Sequence, residues 1–167
     1  VFNAYRDSEF GWRMEHWAGQ MSAVKSPAWL YHFSHLSPAG EAVHAVDFGA
    51  NQRRLGAFHA AEIAYVFNRP DKQLRFSDRL KPTDLALADQ MSSYWVNFAK
   101  TSNPNGAGLP EWKPYLDKDR RYMAFDQTSV PSVNLLPGRL ELHRTIDTVR
   151  TQKSIPWNGA QAGLFGQ

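Results

Sequence analysis

Apolar side chains recur at steps of four and three over residues 7–24, where Phe10, Met14, Trp17, Met21 and Val24 fall on one face of a predicted helix. Asp7 or Ser8 can cap its start, and Pro27 ends the period. The run from Ala28 through Trp29, Leu30, Tyr31, His32 and Phe33 to Ser34 is short and aromatic, which predicts a buried strand over 28–34. Pro38, Gly40 and Gly49 then interrupt any period, so 35–54 reads as a long connection, of the kind that is usually functional or disordered. The clearest stripe comes later. After Lys81-Pro82-Thr83-Asp84, the side chains of Leu85, Ala88, Met91, Trp95 and Phe98 line one side of a helix, with Leu87 and Tyr94 widening it. Thr83 is the expected N-cap, Asp84 suits the helix dipole, and Ser102-Asn103-Pro104-Asn105-Gly106 is the stop. Trp95 and Phe98 are therefore expected to be buried. Residues 110–114 read as a turn around Trp112, 122–125 as a short strand, 138–150 as a final helix and 151–167 as a ragged terminus.

With 167 residues, 43% hydrophobic and 13% aromatic, the chain has the length of one domain and enough apolar side chains for a core. No internal repeat or interior linker divides it, so one domain or part of one is expected. A formal charge of +3 with no cationic stripe gives no reason to expect nucleic-acid binding. Cysteine is absent, which excludes disulfides, a thiolate nucleophile and cysteine metal sites. No apolar run approaches the ~20 residues of a membrane-spanning helix. The chain opens Val1-Phe2-Asn3-Ala4 without a basic-then-apolar leader, and is expected to be a processed product or a piece of something longer.

One histidine stands out by its flanks. His59 follows Gly56, Ala57 and Phe58 and precedes Ala60, Ala61 and the apolar run from Ile63 to Phe67. Glycine permits a tight turn, the alanines leave space around the ring, and the run anchors the far end. Such an imidazole is pinned at its backbone and free at its ring, which suits a proton shuttle. A lone histidine in an apolar setting is, however, more often a hydrogen-bonded core residue. Alternation along a strand sends His32 and His35 to opposite faces, which argues against a shared metal. His16, His44 and His143 read as solvated or locally bonded, and Glu62 as a helix-start carboxylate more readily than as an orienter of His59. There is no Gly-x-Ser-x-Gly elbow, no glycine-rich phosphate loop and no His-Glu-x-x-His pair.

Three blocks, in this order, resemble the C-terminal third of the type-B carboxylesterases, the family that includes the cholinesterases. They are Trp29-Leu30-Tyr31-His32-Phe33-Ser34-His35, then Gly56-Ala57-Phe58-His59-Ala60-Ala61-Glu62-Ile63-Ala64-Tyr65-Val66-Phe67, and finally Tyr94-Trp95-Val96-Asn97-Phe98-Ala99-Lys100-Thr101-Ser102-Asn103-Pro104-Asn105 with Trp112-Lys113-Pro114-Tyr115 behind it. The resemblance spans roughly residues 7 to 126. It implies an α/β fold, the C-terminal portion of an α/β hydrolase: a late central strand, a histidine-bearing loop and long closing helices, incomplete alone. It also implies a carboxylic-ester hydrolase in which His59 is the triad histidine, serving a serine nucleophile upstream, with a secreted or periplasmic setting favoured. The serine with its elbow, the oxyanion-hole glycines and the acidic triad member would all belong to the remaining N-terminal part of the same fold. Phe58 and Ala61, adjacent to His59, are expected to line the substrate pocket. No cofactor or metal is implied, and the expected partners are a small-molecule ester and the rest of the fold, with no nucleic acid. This chain has Ala60 where the family usually has glycine directly after the histidine. Two other readings stay open: a non-catalytic adhesion relative with the same fold, and a basic, aromatic-rich binding module. Strand 28–34 has no obvious neighbour in the chain, so the piece is not expected to fold by itself.

Overall fold

A computed structural model describes residues 6–38, 57–72 and 79–152. The chain passes from a π-helical segment (Asp7–Gly11) into helix α1 (Trp12–Ala23), strand β1 (Tyr31–Phe33), the short helix α2 (Ile63–Val66) and a 3-10 turn (Pro70–Lys72). The long helix α3 (Pro82–Thr101), strands β2 (Arg121–Phe125) and β3 (Ser129–Val133) and helix α4 (Arg139–Gln152) complete the order. The connection after Pro38, with Gly40, His44 and Gly49, lies outside the described residues, as do Gly56 and residues 153–167.

The strands form one mixed sheet in the order β1-β2-β3. β1 runs parallel to β2 with Tyr31 opposite Met123 and Phe33 opposite Phe125, and β2 runs antiparallel to β3. A parallel pair needs a long crossover, and here the crossover is the segment that carries His59, α2 and α3. The predicted strand thus shrinks to three residues and pairs with the strand expected at 122–125, a neighbour relation that the sequence did not advertise. Alternation then sorts the side chains. Tyr31, Phe33, Met123 and Phe125 point to the face covered by α2 and α3, where they pack with Tyr65, Leu87, Met91, Tyr94 and Trp112. Tyr122 points to the opposite face, against Trp12 and Leu140 from α1 and α4 and against Ala18, Leu30 and Tyr115. Helices on both sides of a sheet make this a three-layer α/β arrangement.

The long helix forms where its stripe predicts, with different details at its ends and on its faces. Pro82 occupies the first turn, where a missing N–H costs nothing, so the cap moves from the expected Thr83 to Lys81. Asp84 then serves as the third helical residue, its carboxylate accepting the Lys81 amide at 2.7 Å. Leu87, Ala88, Met91 and Tyr94 are buried, Trp95 is half-buried, and Leu85 and Phe98 are exposed. The stripe is rotated toward Leu87 and Tyr94, and burial of Phe98 is corrected: its ring lies edge-on to Trp29 near the surface.

The polar residues after α3 have specific structural duties. The Asn105 side chain donates to the Trp112 carbonyl and accepts from the Trp112 amide at 2.9 and 2.7 Å. The Trp112 indole in turn donates to Leu30 and the Trp29 indole donates back to Trp112. A Cβ at Gly106 would sit 2.4 Å from Asn97 Nδ2, so any larger residue there would have to displace the Asn97 amide from its bond to the Pro104 carbonyl. The Trp-x-Asn-Phe-Ala block and its Asn-Pro-Asn tail are thereby tied to the start of β1.

Helix α1 corrects the first pattern more sharply. Its buried residues are Trp12, Glu15, Ala18 and Gly19, whereas Phe10, Met14, Trp17 and Val24 are exposed. The π-helical segment before it begins after Arg6 and not with a cap at Asp7 or Ser8, and neither it nor α1 has a side-chain cap. Polar pairing holds the inner face. Glu15 accepts two bonds from Arg120, at 2.7 and 3.0 Å, and lies within 3.5 Å of Arg144, while Arg120 also pairs with Glu141 and Asp7 with Arg139. A buried carboxylate saturated in this way escapes the penalty of an isolated charge. Among the described residues no helix is long and apolar enough to cross a membrane.

Candidate functional site

His59 lies on a tight turn between the described end of the long connection and α2. The Ala61 amide donates to the Phe58 carbonyl at 3.0 Å and the Ile63 amide to the Ala60 carbonyl at 3.2 Å. Ala60 takes a φ of +67°, the left-handed region that alanine enters only under strain. This is the position at which the resembled family carries glycine. Here the left-handed backbone falls on an alanine. His59 is exposed, with the Phe10 ring 6.3 Å away, so the imidazole stands at the surface and is not enclosed by core.

An open groove of about 410 Å³ is lined by Phe58 and Ala60, which flank His59 in sequence, and by Ile63, Ala64, Phe67, Arg69 and Lys72; His59 itself is not among the lining residues. Of the two residues expected to meet substrate, Phe58 lines this groove, whereas Ala61 is fully buried beneath the turn. The apolar run divides too: Tyr65 is wholly buried while Ile63 and Phe67 are exposed. Glu62 takes the N-cap position of α2 without a side-chain cap bond. A second groove, of about 350 Å³, lies between α1 and α4 along Trp12, Arg13, His16, His143, Ile146 and Arg150. It includes none of the expected site residues. Among the described residues no group of three or more His, Asp or Glu side chains is placed to hold a metal.

Behind the turn lies a polar cluster that the sequence pattern did not expose. The Asp84 carboxylate, almost fully buried, accepts from His35 Nε2 at 2.6 Å, from the Tyr65 hydroxyl at 2.8 Å and from the Lys81 amide. Burial works to raise the Asp84 pKa, but the bonds from His35, the Lys81 amide and Tyr65 outweigh it and hold the carboxyl below its ordinary range. Burial and the Asp84 hydrogen bond both push the Tyr65 hydroxyl upward, so it stays a donor. His32 points to the other face, its pKa lowered by burial and further by Arg6. The separation of the two histidines follows the strand alternation. The sequence signal for the cluster was slight: Asp84 was legible as a helix-start residue, and nothing in spacing linked it to His35.

Comparison with known proteins places these features in a wider setting. The family model described as the carboxylesterase family matches residues 1–143. Carboxylesterase 4A of Bos taurus is 38% identical over 109 residues, covering 65% of this chain and 18% of its own length. A medium-chain fatty acyl-CoA hydrolase precursor of Anas platyrhynchos is 33% identical over 116 residues, covering 70% of this chain and 19% of its own. Among solved structures, the Geobacillus stearothermophilus carboxylesterase EST55 at pH 6.2 superposes with a TM-score of 0.54 and 26% identity, over 75% of this chain and 23% of that one. The chain therefore spans about a fifth of the length of the relatives it matches.

Proposed function

Because this chain belongs to the carboxylesterase family, we propose that it supplies His59 as the general base and acid of a serine carboxylic-ester hydrolase of the type-B group. The fold is part of an α/β hydrolase, as the superposed carboxylesterase has. The observation that carries the reading is the exposed His59 on the turn with left-handed Ala60, set between two residues, Phe58 and Ala60, that line an apolar groove. In this reading the nucleophilic serine, the oxyanion-hole amides and the acidic triad member come from the remaining N-terminal part of the same fold. His59 takes the serine proton as the hydroxyl attacks the ester carbonyl and passes it to the departing alcohol; it then removes a proton from the water that attacks the acyl-serine and returns it to the serine oxygen as the acid leaves. Phe58 lines the wall of the groove toward the ester. Ala61 supports the turn from below, because its burial leaves no surface for substrate.

Alone, the chain is expected to be inert, since the nucleophile and the oxyanion hole each contribute orders of magnitude to the rate. An organophosphonate that traps activated serines tests this. Expected is covalent labelling of the complete fold at a serine outside these residues, and no labelling of the 167-residue chain. A labelled serine within this chain, with turnover abolished by His59→Ala, would place the entire site here and overturn the reading.

A further inference from the structure

We infer that Tyr65 and Asp84 are positioning residues for His59, a buried hydrogen-bonded hub that fixes where the imidazole points. The inference rests on the reading of His59 as the catalytic base. A carboxylate at the third helical position needs one partner, the backbone amide of the cap, and Asp84 has it. The other two donors come from elsewhere in the chain: His35 just beyond β1 and Tyr65 in the middle of α2. Three segments meet on one carboxylate that is 1% exposed. His35 Nδ1 is buried and has no hydrogen-bond partner among the described residues, so Asp84 is where that side chain is held.

The path from the hub to His59 is short and stiff. Tyr65 is fully buried and packs its ring against Phe33 and His35 at 5.4 and 5.2 Å between centroids. The Tyr65 amide donates to Glu62 and the Ile63 amide to Ala60. Ala61 is enclosed and Ala60 is held in a conformation that leaves little freedom. Backbone hydrogen bonds at Ala61, Ile63 and Tyr65 thus run continuously from the turn that bears His59 to Tyr65. The length of α2, only four residues, means that the turn cannot orient itself through its own helix. The bond to the start of α3 supplies that orientation.

The test uses the complete fold and compares two buried tyrosines of the same core. Tyr65→Phe removes the bond to Asp84, and Tyr94→Phe removes the bond from Tyr94 to the Pro110 carbonyl at 2.6 Å. Because misplacement of a catalytic group by about 1 Å can cost ~100-fold, Tyr65→Phe is expected to lower kcat for a short-chain aryl ester by roughly ten- to a hundredfold, with KM changed less than about twofold. Asp84→Asn should show the same split between kcat and KM. Tyr94→Phe should keep the parental kcat, since its hydroxyl serves the loop after α3. Parental kcat in Tyr65→Phe and Asp84→Asn, or an equal loss in Tyr94→Phe, would overturn the inference and reduce the hub to generic stability. Activity surviving His59→Ala would instead overturn the proposed function, so the two failures are distinguishable.

Discussion

Expressing these 167 residues separately from the rest of the fold should give a chain that does not unfold cooperatively. The perturbation is the loss of whatever covers two apolar faces. On the first, Phe10, Trp17 and Val24 are 51%, 62% and 72% exposed, and on the second, Ile63 and Phe67 are 50% and 73% exposed. The Phe10 ring lies 6.3 Å from that of His59, which makes the two faces neighbours. Aromatic side chains carry 150–250 Å² each, and with Met14 included these six residues leave roughly 650 Å² of apolar surface in water, above the few hundred Å² that monomers tolerate. At about 25 cal/mol per Å², that area represents roughly 15 kcal/mol of unrealised burial. The net stability of a whole domain is only about 5–15 kcal/mol. The sheet adds to the deficit, because β1 and β3 each leave one edge unpaired among the described strands. Calorimetry with near-UV dichroism is the assay. Aggregation, or a broad transition without a near-UV signal, is expected from the chain alone. A sharp two-state transition from a monodisperse monomer would refute the reasoning and make these residues a complete domain.

Two substitutions probe the elements that hold the site in place. Glu15→Ala deprives Arg120 of its bidentate partner; Glu141 still compensates the guanidinium, so the loss should fall at about 2–3 kcal/mol, below the 3–5 typical of an orphaned buried charge. Denaturant titration of the complete fold reads it, and a change under about 0.5 kcal/mol, the range of ordinary surface substitutions, would mean the pair adds nothing. Ala60→Gly should stabilise by about 0.5–1 kcal/mol, because relief of the left-handed strain exceeds the added freedom of the unfolded chain. The same titration checks it, and destabilisation would show that the Ala60 methyl makes contacts worth more than the strain.

Element types were legible where local pattern and packing agree. The stop after α3 and strand β2 fell where expected because Ser102 takes the left-handed C-cap and Met123 and Phe125 alternate with Tyr122. The faces were less legible. On α1 the apolar stripe reads as the core side, yet Glu15 with its arginines is the inner face, and the stripe faces away from the described core. Periodicity sees hydrophobicity but not a saturated ion pair. β3 carried no strand signal, since Pro131 breaks the usual composition; it is tolerated on an edge strand, where no ladder bond is lost. The site divides in the same way. The flanking residues of His59 suggested an exposed turn, which the fold has, but not the burial of Ala61, because adjacency carries no information about which side of a turn a methyl group faces. The His35–Asp84 contact joins residues 49 apart, and only the fold brings them together.

The most direct test of the central claim is the rate of ester hydrolysis by the complete fold carrying His59→Ala, measured alongside His16→Ala and His143→Ala. Removing the general base of a serine hydrolase should lower kcat by roughly 10³–10⁶-fold, whereas His16 and His143, which line the groove between α1 and α4, should leave it unchanged. Turnover by His59→Ala within tenfold of the parent would contradict the account.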